Sequence, residues 1–266
     1  MDTLQITDTI GSIAAKDYRK AEILKEKGID FSYDGNRTLE EVSRKMGMAI
    51  EQLKTELNQV NAIKMNADKD FTEWTLDYLI NYIIHVHHIP AKENAVIIYD
   101  LAQKASYQHS VYHPELSQLA AALFFFFDDF LVHLKIEEQI LFPAIKELNR
   151  MKNDTEKNCP PAFSSVLKSI PILQKEHLAS AKDLESFRSL TNGYMLPSDA
   201  GETQRNLFRK MKEFEDDLFM HVHLENNILF PRGLALTEKL CQEENRIDND
   251  ETNNKNSITN SEELLR

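Results

Sequence analysis

The sequence predicts an all-α protein: an antiparallel four-helix bundle preceded by a small helical domain. Three observations predict it. Gly and Pro number only 7 and 8 in 266 residues, against roughly 7% and 5% in average proteins, so chain reversals are few. Apolar residues recur at spacings of three and four through most of the chain, and alternating strand patterns are absent. Helix-ending Pro and Gly fall at wide intervals, at His113-Pro114, at Cys159-Pro160-Pro161 and from Gly193 to Pro197, which leaves long uninterrupted segments between them.

The N-terminal unit, residues 1–66, opens with a helix carrying Ile10, Ile13, Ala14 and Tyr18, then Ala21, Ile23 and Leu24, and Gly28 stops it. A turn-rich patch from Asp30 to Asn36 follows. Thr38 and Glu41 then form a T-x-x-E capping box for a helix with Leu39, Val42, Met46, Ile50 and Leu53. The polar run Asn66 to Asp70 is the expected joint to the larger domain, 71–240. Four helical segments are expected there, at roughly 73–106, 115–150, 161–191 and 199–238, and four antiparallel helices are the simplest way to bury their apolar faces. The acidic, Asn-rich tail 241–266 has almost nothing to bury and is expected to be disordered or frayed.

Composition narrows the function. With 42% apolar and 28% charged residues the chain buries a sizeable core, which excludes disorder of the whole. No run of 18 uncharged apolar residues occurs, the longest apolar block being Leu119 to Phe127, and the N-terminus lacks a basic-then-apolar signal. A cytoplasmic location without membrane attachment is therefore expected. A net charge of -12 disfavours nucleic acid and anionic lipid as partners. Two cysteines, Cys159 and Cys241, are too few for a disulfide scaffold or a thiolate zinc site, so any metal must be held by His and carboxylate.

An internal repeat carries the strongest signal. His133-Leu-Lys-Ile-Glu137-Glu-Gln-Ile-Leu141-Phe142-Pro143 and His221-Val-His-Leu-Glu225-Asn-Asn-Ile-Leu229-Phe230-Pro231 are the same motif 88 residues apart. His and Glu at i and i+4 stack on one helix face. That face is otherwise apolar, running Leu123, Phe126, Phe130, His133, Glu137, Ile140, Ala144 in one helix and Leu207, Met211, Phe214, Leu218, His221, Glu225, Ile228 in the other. An ionised carboxylate there costs several kcal/mol unless it is paired, and a metal ion pairs it. A lone H-x-x-x-E is more often a surface pair; its duplication in apolar surroundings reverses that weighting. The facing helices offer one candidate each. His177 lies on the stripe Ile170, Leu173, Ala181, Leu184, and His88 on Ile80, Ile84, Ala91, Ala95, with His87 the alternative. The separations His88 to His133 and His177 to His221, 45 and 44 residues, fit two similar helix pairs. His85, His109, His113 and His223 are expected at solvent or loop caps, Glu138 and Glu176 beside the ligands, and Pro90 at a kink.

Four imidazoles and two carboxylates without thiolate suit two first-row ions, iron or manganese, with two non-haem irons favoured. Glu137 and Glu225 can bridge both ions while each ion takes two His, which leaves room for an oxo or hydroxo bridge and an external diatomic ligand. The Glu-x-x-His pattern of ferritin-like sites and the H-E-x-x-H of zinc proteases are both absent.

The chain resembles the repair-of-iron-centres family over residues 8–238, on His88-Ile-Pro90, His113-Pro-Glu-Leu116, Glu137 to Pro143, Glu176-His177 and His221 to Pro231. The resemblance implies a hemerythrin-like bundle with a di-iron site whose ligands fall on His88, His133, Glu137, His177, His221 and Glu225, and its H-x-P match selects His88 over His87. The first unit is similar to that family's short N-terminal domain through Gly28-Ile-Asp-Phe31 and Gly35-Asn-Arg-Thr-Leu39, but Ser32 and Tyr33 replace a usual pair of adjacent cysteines. The implied function is repair of iron-sulfur clusters damaged by nitrosative or oxidative stress. Its implied partners are damaged cluster proteins, and NO or O2 as diatomic ligands. The alternatives are a reversible O2- or NO-binding sensor or carrier, and a di-iron nitric oxide reductase. Whether the protein is an enzyme, and whether it forms a homodimer, stay open at this stage.

Overall fold

The computed structural model describes residues 4–58, 70–151 and 161–240. Most of the expected joint at 66–70, the Cys159-Pro160 connection and the acidic tail 241–266 lie outside these residues. Among the described residues the regular structure is helical, apart from one isolated bridge between Thr9 and Thr38.

Four short helices build the N-terminal unit, where periodicity alone suggests two. These are α1 (Ile10–Lys16), α2 (Tyr18–Glu26), α3 (Leu39–Met46) and α4 (Ile50–Asn58). Asp17 breaks the first pair, because its carboxylate accepts from the Arg19 N–H and caps α2. The capping box forms as expected. Glu41 N–H donates to Thr38 Oγ1 at 3.2 Å and Thr38 N–H to Glu41 Oε2 at 2.8 Å. Gly47, at φ 65°, ends α3 in the left-handed region. Ile10, Leu24, Leu39, Leu53 and Leu57 close a separate small core.

The bundle's first helix is α5 (Leu76–Tyr82), a π turn (Ile83–His88) and α6 (Ile89–His109); its second is α7 (Glu115–Ile136), a π turn (Glu137–Leu141) and α8 (Phe142–Met151). The third is α9 (Pro161–Leu190). The fourth is α10 (Glu202–Leu224), a π turn (Glu225–Leu229) and helical residues 230–240. α6 packs against α7 and α10, and α7 and α8 pack against α9. The apolar interior is in two parts. Leu79, Ile83, Ile145, Val166 and Leu229 belong to one, and Ile98, Leu119, Phe126, Leu207 and Phe214 to the other.

Three π turns depart from the straight helices that the periodicity suggests. In each, the bonding reaches one residue further. Phe142 N–H donates to the Glu137 carbonyl, Phe230 N–H to that of Glu225 and Ile89 N–H to that of Ile84. Two of the widened turns shift the buried face, while in the third Ile228 stays buried as expected. Ile140, expected on it, is half exposed, while Leu141 and Phe142 are buried; Ile83 is fully buried in place of Ile84. Pro90 follows the first π turn and lacks the N–H that would bond Val86 in an α-helix, so the predicted kink takes the form of a local widening. The run Phe124 to Phe127 splits: Phe126 and Phe127 are buried, Phe124 and Phe125 exposed.

At the end of the bundle that carries the α6–α7 and α9–α10 connections, His113 contacts Glu115 at 3.1 Å and Asp199 at 3.1 Å, tying the two loops. Asp199, then Glu115, raises the His113 pKa above 6.5, and His113 lowers that of Asp199 below 3.8. The raised group stabilises fully below its unfolded value and loses that contribution as pH rises through its folded value. The lowered group does so above its unfolded value and loses it as pH falls. The tie is therefore strongest at mildly acidic pH. His113→Ala is expected to lower Tm more at pH 6 than at pH 9; an equal loss at both, by calorimetry, counts against the tie.

Candidate metal centre

The π turns stand where the candidate ligands are. His133 and His221 occupy the last turns of α7 and α10, Glu137 and Glu225 open the π turns that follow, and His88 closes the π turn before α6. α9 supplies His177. The structure brings all six side chains together between the two parts of the core, and all six are buried.

They form two groups that share both carboxylates: His88 and His221 with Glu137 and Glu225, and His133 and His177 with the same two acids. His88 Nε2 and His221 Nε2 lie 3.0 Å apart, as do His133 Nε2 and His177 Nε2. Two nitrogens each about 2.1 Å from a shared ion, at about a right angle, stand at this separation. Glu137 turns Oε2 to the first group, 3.5 Å from His88 Nε2, and Oε1 to the second, 3.3 Å from His133 Nε2. Glu225 turns Oε1 to the first, 2.9 Å from His221 Nε2, and Oε2 to the second, 3.3 Å from His177 Nε2. None of the four carboxylate oxygens has a hydrogen bond of acceptable geometry, although all are buried. Imidazole nitrogens face each other and the oxygens across two common centres. Such an arrangement fits cations and would be costly in their place as a plain polar network.

The far nitrogens of three rings are held from outside. His88 Nδ1 contacts Glu138 Oε1 at 2.9 Å, and Lys92 Nζ donates to both oxygens of that carboxylate at 2.7 and 2.8 Å. His133 Nδ1 contacts Glu176 Oε2 at 2.7 Å. His177 Nδ1 contacts Asn226 Oδ1 at 3.0 Å. These bonds put the Nε2 lone pair toward the centre. Phe142 stacks on His88 at 5.5 Å and Phe230 on His177 at 5.8 Å, which gives the repeated Leu-Phe-Pro a purpose in buttressing the opposite pair's rings. His87 is buried, bonds Asp217 at 2.8 Å and belongs to neither group.

His223 differs from the expectation that it faces solvent or caps a loop. It is 1% exposed, meets Phe31 edge-on at 4.9 Å and contacts Asn227 Nδ2 at 2.9 Å. The helix face it occupies, polar by periodicity in the bundle, is covered by the N-terminal unit. Asn226 and Asn227 were not distinguishable as participants from sequence, since neither is a usual ligand and both stand two or fewer residues beyond Glu225.

Charged groups inside the site act on one another. Burial favours neutral His88, but Glu138 and Glu225 with Glu137 outweigh it and raise its pKa to about 9. Burial acts likewise on His133, and Glu137 and Glu176 raise it to about 10. Burial lowers His221, and it lowers His223, which has no acid beside it, to about 3. Glu225 stays well below the usual carboxylate range, because His221, His177 and His88 outweigh its desolvation.

Residues 79–232, more than half of the chain, match the hemerythrin HHE cation binding domain. The chain belongs to that family. Its first unit, residues 6–61, matches the ScdA_N domain, a domain of unknown function. Among similar proteins, the iron-sulfur cluster repair protein YtfE of Pectobacterium atrosepticum is 30% identical over 226 residues, covering 85% of this chain and 96% of that protein. The probable iron-sulfur cluster repair protein of Haemophilus influenzae is 32% identical over 214 residues, 80% of this chain and 90% of the relative. The YtfE of Yersinia pestis strain Pestoides F is 28% identical over 226 residues, 85% and 96% of the two chains. The buried His and Glu groups of this hemerythrin-family chain are compatible with a non-haem iron centre.

Raised imidazole pKa values mean that the metal-free site holds protons at neutral pH which a cation must displace. Ion uptake is expected to release on the order of two protons at pH 7, from His88 and His133, and to tighten as pH rises toward 9. Titration calorimetry in buffers of different ionisation enthalpy measures this; a heat independent of buffer contradicts it.

Proposed function

We propose that this chain is a di-iron protein that repairs iron-sulfur clusters damaged by nitrosative or oxidative stress, by donating iron or handling nitric oxide at its centre. In this reading His88 and His221 hold one iron, His133 and His177 the other. Glu137 and Glu225 span both, with an oxo or hydroxo bridge completing the pair. The observation that carries it is that each buried carboxylate offers one oxygen to each His pair. The family membership and the relatives named for cluster repair support the same reading. Damaged cluster proteins are the partners it implies, with NO or O2 as small ligands. No described helix is long and apolar enough to cross a membrane, and the reading places the protein in the cytoplasm.

The residues divide the task. Four imidazoles and two carboxylates, all oxygen and nitrogen donors without thiolate, hold iron through bonds that exchange more readily than those of a sulfur cage. When bound, iron supplies redox change and an open position for a diatomic ligand. The chain's own groups do the rest. Glu138 and Glu176 keep His88 and His133 turned inward, and the pull of the buried acids on protons lets His88 and His133 take up protons as an ion leaves. The surrounding Phe142 and Phe230 exclude water and hold two rings flat.

Protein purified without added metal is expected to contain two irons per chain, and Mössbauer spectroscopy to show them coupled. Since each acid spans both positions, Glu137→Ala should lose both ions, whereas His88→Ala should lose mainly one; metal analysis separates these. Iron-loaded protein should restore activity to a [4Fe–4S] dehydratase stripped of its labile iron. Retention of all iron under reducing conditions would refute donation, and an iron-free preparation the centre itself.

A further inference from the structure

The three outward-anchored imidazoles are anchored differently. His88 and His133 lean on carboxylates that belong to the bundle, Glu138 and Glu176. His177 leans on the neutral amide of Asn226, whose Nδ2 donates to the Ser32 carbonyl of the N-terminal unit at 3.1 Å. A single side chain thus connects one candidate ligand to a loop that lies 194 residues before Asn226 in sequence. The fourth ring, His221, has no hydrogen bond at Nδ1 among the described residues.

The loop's seat is specific. Asn227, next along the same π turn, donates to the Phe31 carbonyl at 2.8 Å. Its amide fills the space beside Gly11 and Gly35, where a Cβ on either glycine would run into Asn227 Oδ1. Phe31 packs on Phe219 at 4.8 Å and on His223, Tyr33 packs against the bundle core, and Lys25 pairs with Asp216 at 2.7 Å. Beside these contacts the seam between α9 and α10 is incompletely filled. A cavity of about 600 Å³ opens there, lined among others by Tyr33, Leu178, Leu184 and Phe219. Leu178 directly follows His177. The loop therefore lies along a seam that packing of the two helices leaves partly open, beside the residue that follows His177.

We propose that Asn226 is a positioning residue that makes the ion position of His133 and His177 depend on docking of the N-terminal unit. When the Phe31–Ser32 loop lifts from the α9–α10 seam, His177 loses its anchored orientation, and the ion at this position leaves before the one held by His88 and His221. The proposal rests on the di-iron reading and names which of its two ions is released. It concerns orientation alone: the amide keeps the His177 Nδ1–H pointed outward and Nε2 turned to the centre, and it does so only while Ser32 holds the amide.

The test uses the full chain loaded with iron and follows release to a ferrous chelator, with Mössbauer spectra of the retained iron. Asn226→Ala removes the link, and Gly35→Ala disturbs the seat from the N-terminal side, where its Cβ would run into the Phe31 carbonyl and Asn227 Oδ1. Both are expected to speed the loss of one iron equivalent by about tenfold or more, leaving the second at the wild-type rate and one spectral component unchanged. Asn226→Asp drops the donor to Ser32 but gives His177 a charged acceptor that grips Nδ1–H without help from the loop, as Glu138 and Glu176 grip His88 and His133. It should retain both irons, and adding Gly35→Ala to it should change nothing. Release of both equivalents at wild-type rates, or equal acceleration of both, overturns the proposal. If wild-type protein binds no iron, the di-iron reading falls. The link is then decided in the metal-free protein by histidine ¹⁵N NMR: the Nδ1–H tautomer of His177 should persist in wild type and be lost in both Asn226→Ala and Gly35→Ala, and an unchanged signal sinks it.

Discussion

Two carboxylates placed where no hydrogen-bond donor satisfies them are the constraint around which the bundle is organised. Glu137 and Glu225 are wholly buried and lie between the two apolar parts of the core. Each such charge costs several kcal/mol unless opposite charge stands beside it. In the metal-free protein, protonated imidazoles provide that charge, and this is the physical origin of the high pKa values of His88 and His133. The same arrangement is neutralised by cations, because the protons and the ions compete for the same nitrogens. A core built this way offers its buried acids either protons or cations as their partners.

The local backbone answers the same demand. An α-helix places i and i+4 side chains on one face, which suffices to align His133 with Glu137 and His221 with Glu225. It does not by itself bring a carboxylate to the midline of a bundle while the next turn resumes packing. The π turns after both acids insert the extra residue that does this, and they set Phe142 and Phe230 against imidazoles of neighbouring helices. The duplicated motif therefore encodes more than ligands. Its Leu-Phe-Pro end is the part that returns the helix to regular bonding and fills the space beside the opposite pair.

This separates what the sequence makes legible from what it hides. Helical class and the His-x-x-x-Glu repeat are readable because each follows from spacing on one helix face, whereas the choice of His88 over His87 comes from the resemblance. The buried stripe past Glu137 is not readable, since a 3.6-residue period places Ile140 inward and the widened turn places Leu141 there instead. Short helices separated by a single capping residue, as at Asp17, read as one in periodicity. His223 reads as solvent-facing because the surface that covers it comes from another part of the chain, and no local pattern announces a docked neighbour. Asn226 and Asn227 are silent for the same reason: their partners are backbone carbonyls of Phe31 and Ser32, which any residue type supplies.

The N-terminal unit is thus more than an appended domain. It has its own small core, against which Phe219 of the bundle also packs, and its loop supplies Phe31, Ser32 and Tyr33 to the bundle's surface at the π turn that carries Glu225. Two consecutive amides make that connection: Asn227 fixes where the loop sits, and Asn226 relays its presence to His177. Replacement of either amide by a carboxylate would set a negative charge against a peptide carbonyl, and an apolar residue would leave the Ser32 or Phe31 carbonyl without its donor. Asn226 satisfies ring and carbonyl with its acceptor and its donor, and Asn227 reaches the Phe31 carbonyl and the His223 ring through Nδ2. The junction between the two units thus rests on two neutral amides that each touch a backbone carbonyl of the loop and an imidazole of the bundle.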